Sequence, residues 1–192
     1  MINVVLPDGS KKELEAGSTV YDLAFSIGER LAQAALAGSV GGKLVDLSHE
    51  LKEGDVVEII TTRDERALDL LRHSVAHIMA AAISELFPGT KFGMGPSIED
   101  GFYYDFESDH SFSPEDFELI EKRMAEIIAE GRVFSRSHLS REEALARFEG
   151  QEYKQELISE LGEDEVISIY EHGAFADLCR GPHIADSSKV PA

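Results

Sequence analysis

Two pairs of side chains, each spaced by four residues, can do chemistry: His73 and His77 in Arg72-His73-Ser74-Val75-Ala76-His77, and Cys179 and His183 in Asp177-Leu178-Cys179-Arg180-Gly181-Pro182-His183. Imidazole and thiolate both bind metals and carry protons. Three histidines and one thiolate suit tetrahedral zinc. With all four bound the site would be structural, and with one position left to water the metal would make a hydrolytic nucleophile. Without metal, the imidazoles and Lys154 would hold a substrate and a water by hydrogen bonds, with Asp177 fixing a tautomer or an amine. Both routes suit ester hydrolysis, where positioning and modest polarisation are enough.

The first pair needs a helix to align it. Leu68, Leu71, Val75, Ile78, Met79, Ala82 and Leu86 recur at helical steps and predict a helix over residues 65–87, stopped by Pro88-Gly89. At about 100° per residue, His73 and His77 project together opposite that stripe, next to Ala80 and Ser84, so they are expected outside the core. Cys179, the only cysteine, lies in a run too short and broken for a helix interior, and the Gly181-Pro182 turn aims His183.

Ahead of this helix, Pro7-Asp8-Gly9 joins two short strands, and Ser18-Thr19 caps a helix expected from Val20 to about Leu36 and ended by Gly38. Lys43–Asp46 and Val56–Ile60 read as two further strands separated by a turn. Strand, strand, helix, strand, strand within about 62 residues is the β-grasp order, and residues 1–62 resemble the ubiquitin-like TGS domain. Thr61-Thr62-Arg63-Asp64 reads as a polar hinge.

Beyond the long helix, Lys91–Ile98 and Gly101–Phe106 predict a glycine-punctuated hairpin. Tyr103 and Tyr104 must point to opposite faces, so one joins the core and the other can carry its hydroxyl into a cleft. Ser113-Pro114-Glu115-Asp116 opens a helix with Phe117, Ile120, Met124, Ile127 and Ile128 on its buried face, and Gly131 closes it. Val133–His138, Val166–Tyr170 and Ala174–Cys179 read as strands, and Ser140-Arg141-Glu142-Glu143 as a capping box for a helix through Phe148. Tyr153–Leu161 reads as a helix carrying Lys154, which taken alone is an ordinary solvated lysine. His49, His110, His138 and His172 are expected on the surface. The whole is α+β: a β-grasp domain at 1–62, then an α+β domain at 63–192 with a long helix packed on an antiparallel sheet.

Composition narrows the class. A content of 43% hydrophobic residues supports proper cores, and a single cysteine excludes an internal disulfide. No run approaches a membrane span and the first residues show no basic, apolar leader, so a cytoplasmic protein with no membrane partner is expected. The formal charge is -19, and residues 63–192 hold 13 basic and 27 acidic side chains, which gives no general attraction to phosphate backbones.

Together, His73-Ser74-Val75-Ala76-His77, Gly95-Pro96, Gly101-Phe102-Tyr103-Tyr104-Asp105-Phe106, Tyr153-Lys154 and Asp177–His183 resemble the N-terminal editing region of bacterial threonyl-tRNA synthetases. The resemblance implies a proofreading domain that hydrolyses serine wrongly esterified to threonine tRNA. It implies that His73, His77, Cys179 and His183 line the pocket, and that Lys154 and Asp177 act with them. Tyr104, Arg180, Gly95 and Pro96 would bind the aminoacyl-adenosine end. Related alanyl-type editing domains use the same pairs for zinc, whereas this family is described as working without metal, so no cofactor is expected for editing, with zinc as the alternative. The family's aminoacylation domain, with its ATP site, zinc and dimer interface, and its anticodon-binding domain would lie outside these 192 residues. The piece itself is then expected to be monomeric and unable to join threonine to tRNA. Ile184-Ala185-Asp186-Ser187-Ser188 lacks the Thr-Gly that follows the last histidine in many members. Two other readings use the same residues: a module that only grips the acceptor arm or a nucleotide, and a zinc-stabilised structural domain.

Overall fold

The computed structural model describes residues 1–162 and 165–191, which form two compact units. The first comprises Met1–Leu71 with Gly181–Ala185, and the second Arg72–Arg180 with Asp186–Ala192. Among the described residues no helix is long and apolar enough to cross a membrane.

In the first unit, β1 (Ile2–Val5) and β2 (Lys11–Leu14) pair antiparallel through the Pro7–Ser10 turn. The Asp8 carboxylate accepts the Ser10 N–H at 2.9 Å and Gly9 takes φ +81°, a left-handed conformation that glycine adopts without strain. Helix α1 (Val20–Ile27) opens with a reciprocal cap, in which Asp22 accepts the Thr19 N–H at 2.8 Å. The expected single helix to Leu36 is not formed. It stops at Gly28, restarts as α2 (Glu29–Ala34) and gives way to strand β3 (Ala35–Val40). Gly38 therefore ends no helix but lies mid-strand, where a Cβ would sit 2.7 Å from Val20 Cγ1. The run Ala35-Leu36-Ala37-Gly38-Ser39 offers neither alternation nor β-branched residues, so burial rather than local preference makes it a strand. β3 pairs antiparallel with β4 (Lys43–Val45) and β5 (Val57–Thr61), and Val5 bridges Val56 in parallel. Val4, Leu14, Val20, Leu23, Leu47, Leu51 and Val57 fill the core beneath. The segment Gly181–Ala185 folds with this unit: the buried His183 donates its backbone N–H to Asp46 Oδ1 at 3.0 Å, and Ala185 packs on the core.

Helix α3 (Arg66–Leu86) begins in the first unit, where Asp64 accepts the Arg66 N–H at 2.9 Å, and continues into the second. Its burial departs from the sequence stripe. Leu68 is 54% exposed, whereas Ala76 to Ile78 and Ala80 to Ile83 are buried around the helix, and His77 with them. Four alanines in this stretch leave the helix thin enough to be covered on all sides.

In the second unit, two-residue strands β6 (Lys91–Phe92) and β9 (Phe106–Glu107) pair around the inner ladder of β7 (Ser97–Ile98) and β8 (Gly101–Phe102). Helix α4 (Pro114–Glu130) opens at Ser113, whose N–H meets Asp116 at 2.8 Å, and ends at the left-handed Gly131. Ile120 and Ile127 are buried, but Phe117 is 58% exposed against expectation. The sheet runs β10 (Phe134–Leu139), β11 (Ile167–His172), β12 (Phe175–Leu178), antiparallel throughout. Helices α5 (Arg141–Arg147) and α6 (Glu152–Glu160) pack on it through Ala144, Phe148, Ile158, Ile167 and Ile169. The architecture is α+β.

Candidate active site

Helix periodicity brings His73 and His77 to one side of α3, with ring centroids 5.0 Å apart and planes inclined at 70°. Strand periodicity on β12 turns Phe175 and Asp177 inward together, and the chain then delivers Cys179 at the strand end. Two bonds to β11 fix that residue: Cys179 N–H donates to the Ser168 carbonyl at 3.1 Å, and Ser168 Oγ donates to the Cys179 carbonyl at 2.5 Å. Cys179 Sγ then lies 3.1 Å from His73 Nε2. The donor atoms of His73, His77 and Cys179 all lie within 4.8 Å of one another.

Behind them is a buried charge pair. Lys154, expected in solvent when considered alone, is 2% exposed, and Asp177 is equally buried. The ammonium donates to the Gly93 carbonyl at 2.5 Å, lies 3.3 Å from Tyr104 Oη, and meets Asp177 Oδ1 as an ion pair rather than an aligned hydrogen bond. Tyr104 donates its hydroxyl to Asp177 Oδ2, and His77 Nε2 stands 3.3 Å from the same oxygen. Of the tyrosine pair, Tyr104 is thus the inward one, while Tyr103 is 45% exposed. Gly95 makes room for it, because a Cβ there would enter the Tyr104 ring.

The electrostatics follow from burial. Desolvation pushes His77 down to about 3, against the opposing pull of Asp177, so its imidazole is neutral at pH 7. Burial, then the Asp177 charge, hold the Tyr104 phenol well above its usual range, so it remains a donor. The cluster therefore holds one cation, one anion, a neutral imidazole and a phenol, in an interior where such interactions act more strongly than in water.

Arg180 projects into solvent, with 82% of its side chain exposed, and pairs with Glu165. The Pro96 carbonyl accepts the Tyr103 N–H at 3.4 Å. His183 belongs to the first unit and is held there by Asp46. A cleft of about 490 Å³ opens beside Cys179, floored by Met94, Leu157, Val166 and Leu178.

His77 corrects the expectation that the pair avoids the core, since it is 2% exposed. His172 corrects another: expected on the surface, it is 1% exposed and stacked on Phe134 at 4.0 Å. His110 has a partner too, Asp116 at 2.9 Å. Sequence reasoning missed Ser168 and the Gly93 carbonyl. Neither carries a signal of its own, because β11 is buried on both faces and the partners, Cys179 and Lys154, are distant in the chain.

The TGS domain family matches residues 2–61. The chain is 53% identical to the threonine--tRNA ligase of Pelobacter propionicus, and 50% identical to those of a Geobacter species (strain M21) and of Maricaulis maris. Each match covers 99 to 100% of this chain and 30% of the relative, so the chain spans about a third of the length of these curated relatives. Residues 2–61 are thus a TGS domain, and the chain as a whole matches the N-terminal part of bacterial threonine--tRNA ligases.

Proposed function

We propose that residues 63–192 form an editing domain that hydrolyses the ester of serine mistakenly joined to threonine tRNA, as part of a cytoplasmic threonine--tRNA ligase. The observation that carries the reading is the convergence of Lys154, Tyr104 and His77 on the buried Asp177, next to the His73–Cys179 pair. A buried ion pair contributes little net stability and is costly to leave half-made, so its placement beside a thiol and two imidazoles fits chemistry better than scaffolding. The need is physical as well. Serine lacks only threonine's methyl, a difference that limits discrimination by binding to roughly 10 to 200-fold, so a second, smaller sieve is required.

In this reading water attacks the ester carbonyl, the bond to the ribose oxygen breaks, and a proton passes to that oxygen, releasing serine and free tRNA. His73, in contact with Cys179, and the neutral His77 orient the water and the serine hydroxyl. Lys154 and Tyr104 hold Asp177 in place, and Asp177 in turn fixes the tautomer of His77. The cleft beside Cys179 has an apolar floor on which a terminal nucleoside can lie. No metal is needed for these roles. The acidic balance of the domain leaves most of the grip on tRNA to other parts of a longer enzyme.

Seryl and threonyl esters of threonine tRNA, incubated separately with the chain in the presence of a chelator, test the reading. Seryl-tRNA is expected to be deacylated and threonyl-tRNA spared. Equal rates, or no turnover with seryl-tRNA by either the chain or a full-length relative bearing it, would overturn the proposal.

A further inference from the structure

The β-grasp frame leaves strand β2 with an open edge, since among the described residues β2 pairs with β1 alone. On the far side of β1, the Asn3 N–H meets Glu53 Oε2 at 2.7 Å, the Asn3 carbonyl accepts the Gly54 N–H at 2.8 Å, and the Val5 N–H meets the Asp55 carbonyl at 2.8 Å. Asn3 and Val5 therefore turn their backbone groups away from β2. In an antiparallel ladder their opposite residues, Glu13 and Lys11, must do the reverse, so the N–H and C=O groups of both point out along the open edge. Both residues are exposed. Lysines commonly guard such edges, yet Lys12 is turned inward, where its Nζ donates to the Ser26 carbonyl near the end of α1 at 3.1 Å.

Beside that edge a groove of about 520 Å³ lies between β2 and α1, with Leu14, Ala16 and Phe25 as its apolar lining and Glu13, Glu15 and Asp22 as its carboxylates. Phe25 is 57% exposed and stacks with Tyr21, itself 47% exposed, at 6.4 Å. Open backbone groups and an apolar groove along one strand are the two halves of recognition by strand addition: the first supply hydrogen bonds, and the second receives every other side chain. We propose that this edge binds a basic, extended segment of a partner protein, in which apolar residues alternate with Lys or Arg. Charge decides the occupant. Residues 1–62 hold 5 basic and 10 acidic side chains, and three of the carboxylates stand at the groove itself. The same carboxylates repel the phosphates of a nucleic acid, and pairing with a second copy would join two chains of formal charge -19. None of these residues takes part in the proposed hydrolysis.

A fluorescein-labelled peptide of alternating valine and arginine serves as the probe, and its binding to the whole chain is followed by fluorescence anisotropy. Methylating every backbone nitrogen of the peptide keeps its charge and removes its hydrogen-bond donors, and is expected to weaken binding about tenfold. Phe25→Ser, at an exposed position, is expected to weaken it about fivefold. Amide exchange followed by NMR is expected to slow at Lys11 and Glu13 when the peptide is bound. Equal binding of the methylated peptide would reveal simple charge attraction and overturn the proposal, as would no binding at millimolar peptide or unchanged exchange at Lys11 and Glu13 under saturation. Protection of those two amides that grows with the concentration of the chain alone would assign the edge to a second copy, and would overturn it as well.

Discussion

The two units solve the problem of burial in different ways. The first fills its interior with Val4, Leu14, Val20, Leu23, Leu51 and Val57 around a β-grasp frame, its glycines serve turns or a close approach, and its buried titratable groups are His183 and the Asp46 that accepts its backbone N–H. The second buries Lys154, Asp177, His77 and His172. Aliphatic burial stabilises by about 25 cal/mol per Å² of apolar area, whereas a buried ion pair roughly breaks even against an apolar replacement. Residues 72–180 therefore carry polar groups whose burial adds little stability, and three of them, Lys154, Asp177 and His77, belong to the proposed site.

The contrast is broken most strongly at the ion pair. Lys154→Met leaves Asp177 buried without its cation, and a loss of about 3–5 kcal/mol is expected in denaturant unfolding. Lys154→Met combined with Asp177→Leu should recover much of that loss while leaving deacylation abolished. A similar polar-to-apolar change at an exposed site such as Arg180→Met should lie within about 0.5 kcal/mol of the parent.

Next comes pH. Burial holds His77 down to about 3 and His172 down to about 4, both below the ordinary 6.5. Each takes up a proton in the unfolded chain below pH 6.5 before it does so in the folded one, so stability falls with acidification from about 6.5 towards 4, by up to about 1.4 kcal/mol per pH unit for each group. His172→Phe, which keeps the stack on Phe134, should make that dependence shallower by the share of one histidine. An unchanged slope would mean that His172 is solvated in the native state. The smallest effect belongs to the scaffold common to both units: Ser140→Ala and Thr19→Ala each remove a helix cap and should cost about 1 kcal/mol.

Much of the scaffold was legible because it is local. The Pro7-Asp8-Gly9 turn, the capping boxes at Ser113 and Ser140, the long helix and the strands of the second sheet all follow from neighbours in sequence. The strand at Ala35–Val40 was not legible, because small residues carry neither the helical nor the strand period clearly. At the site, residue types and spacing singled out His73, His77 and Cys179, yet not their depth. A stripe of large apolar residues defines one buried face, and the alanines that let α3 be covered elsewhere give no such signal. Lys154 was the least legible from its own surroundings, since its partners Gly93, Tyr104 and Asp177 are distant in the chain and only the tertiary fold joins them.

The account is tested most directly by single-turnover hydrolysis of seryl-tRNA with His73→Ala/His77→Ala, alongside tRNA binding by the same variant. Loss of the rate by at least about 10²-fold with binding retained is the expected result. A rate equal to that of the unaltered chain would contradict it, and would leave the two histidines as structural side chains.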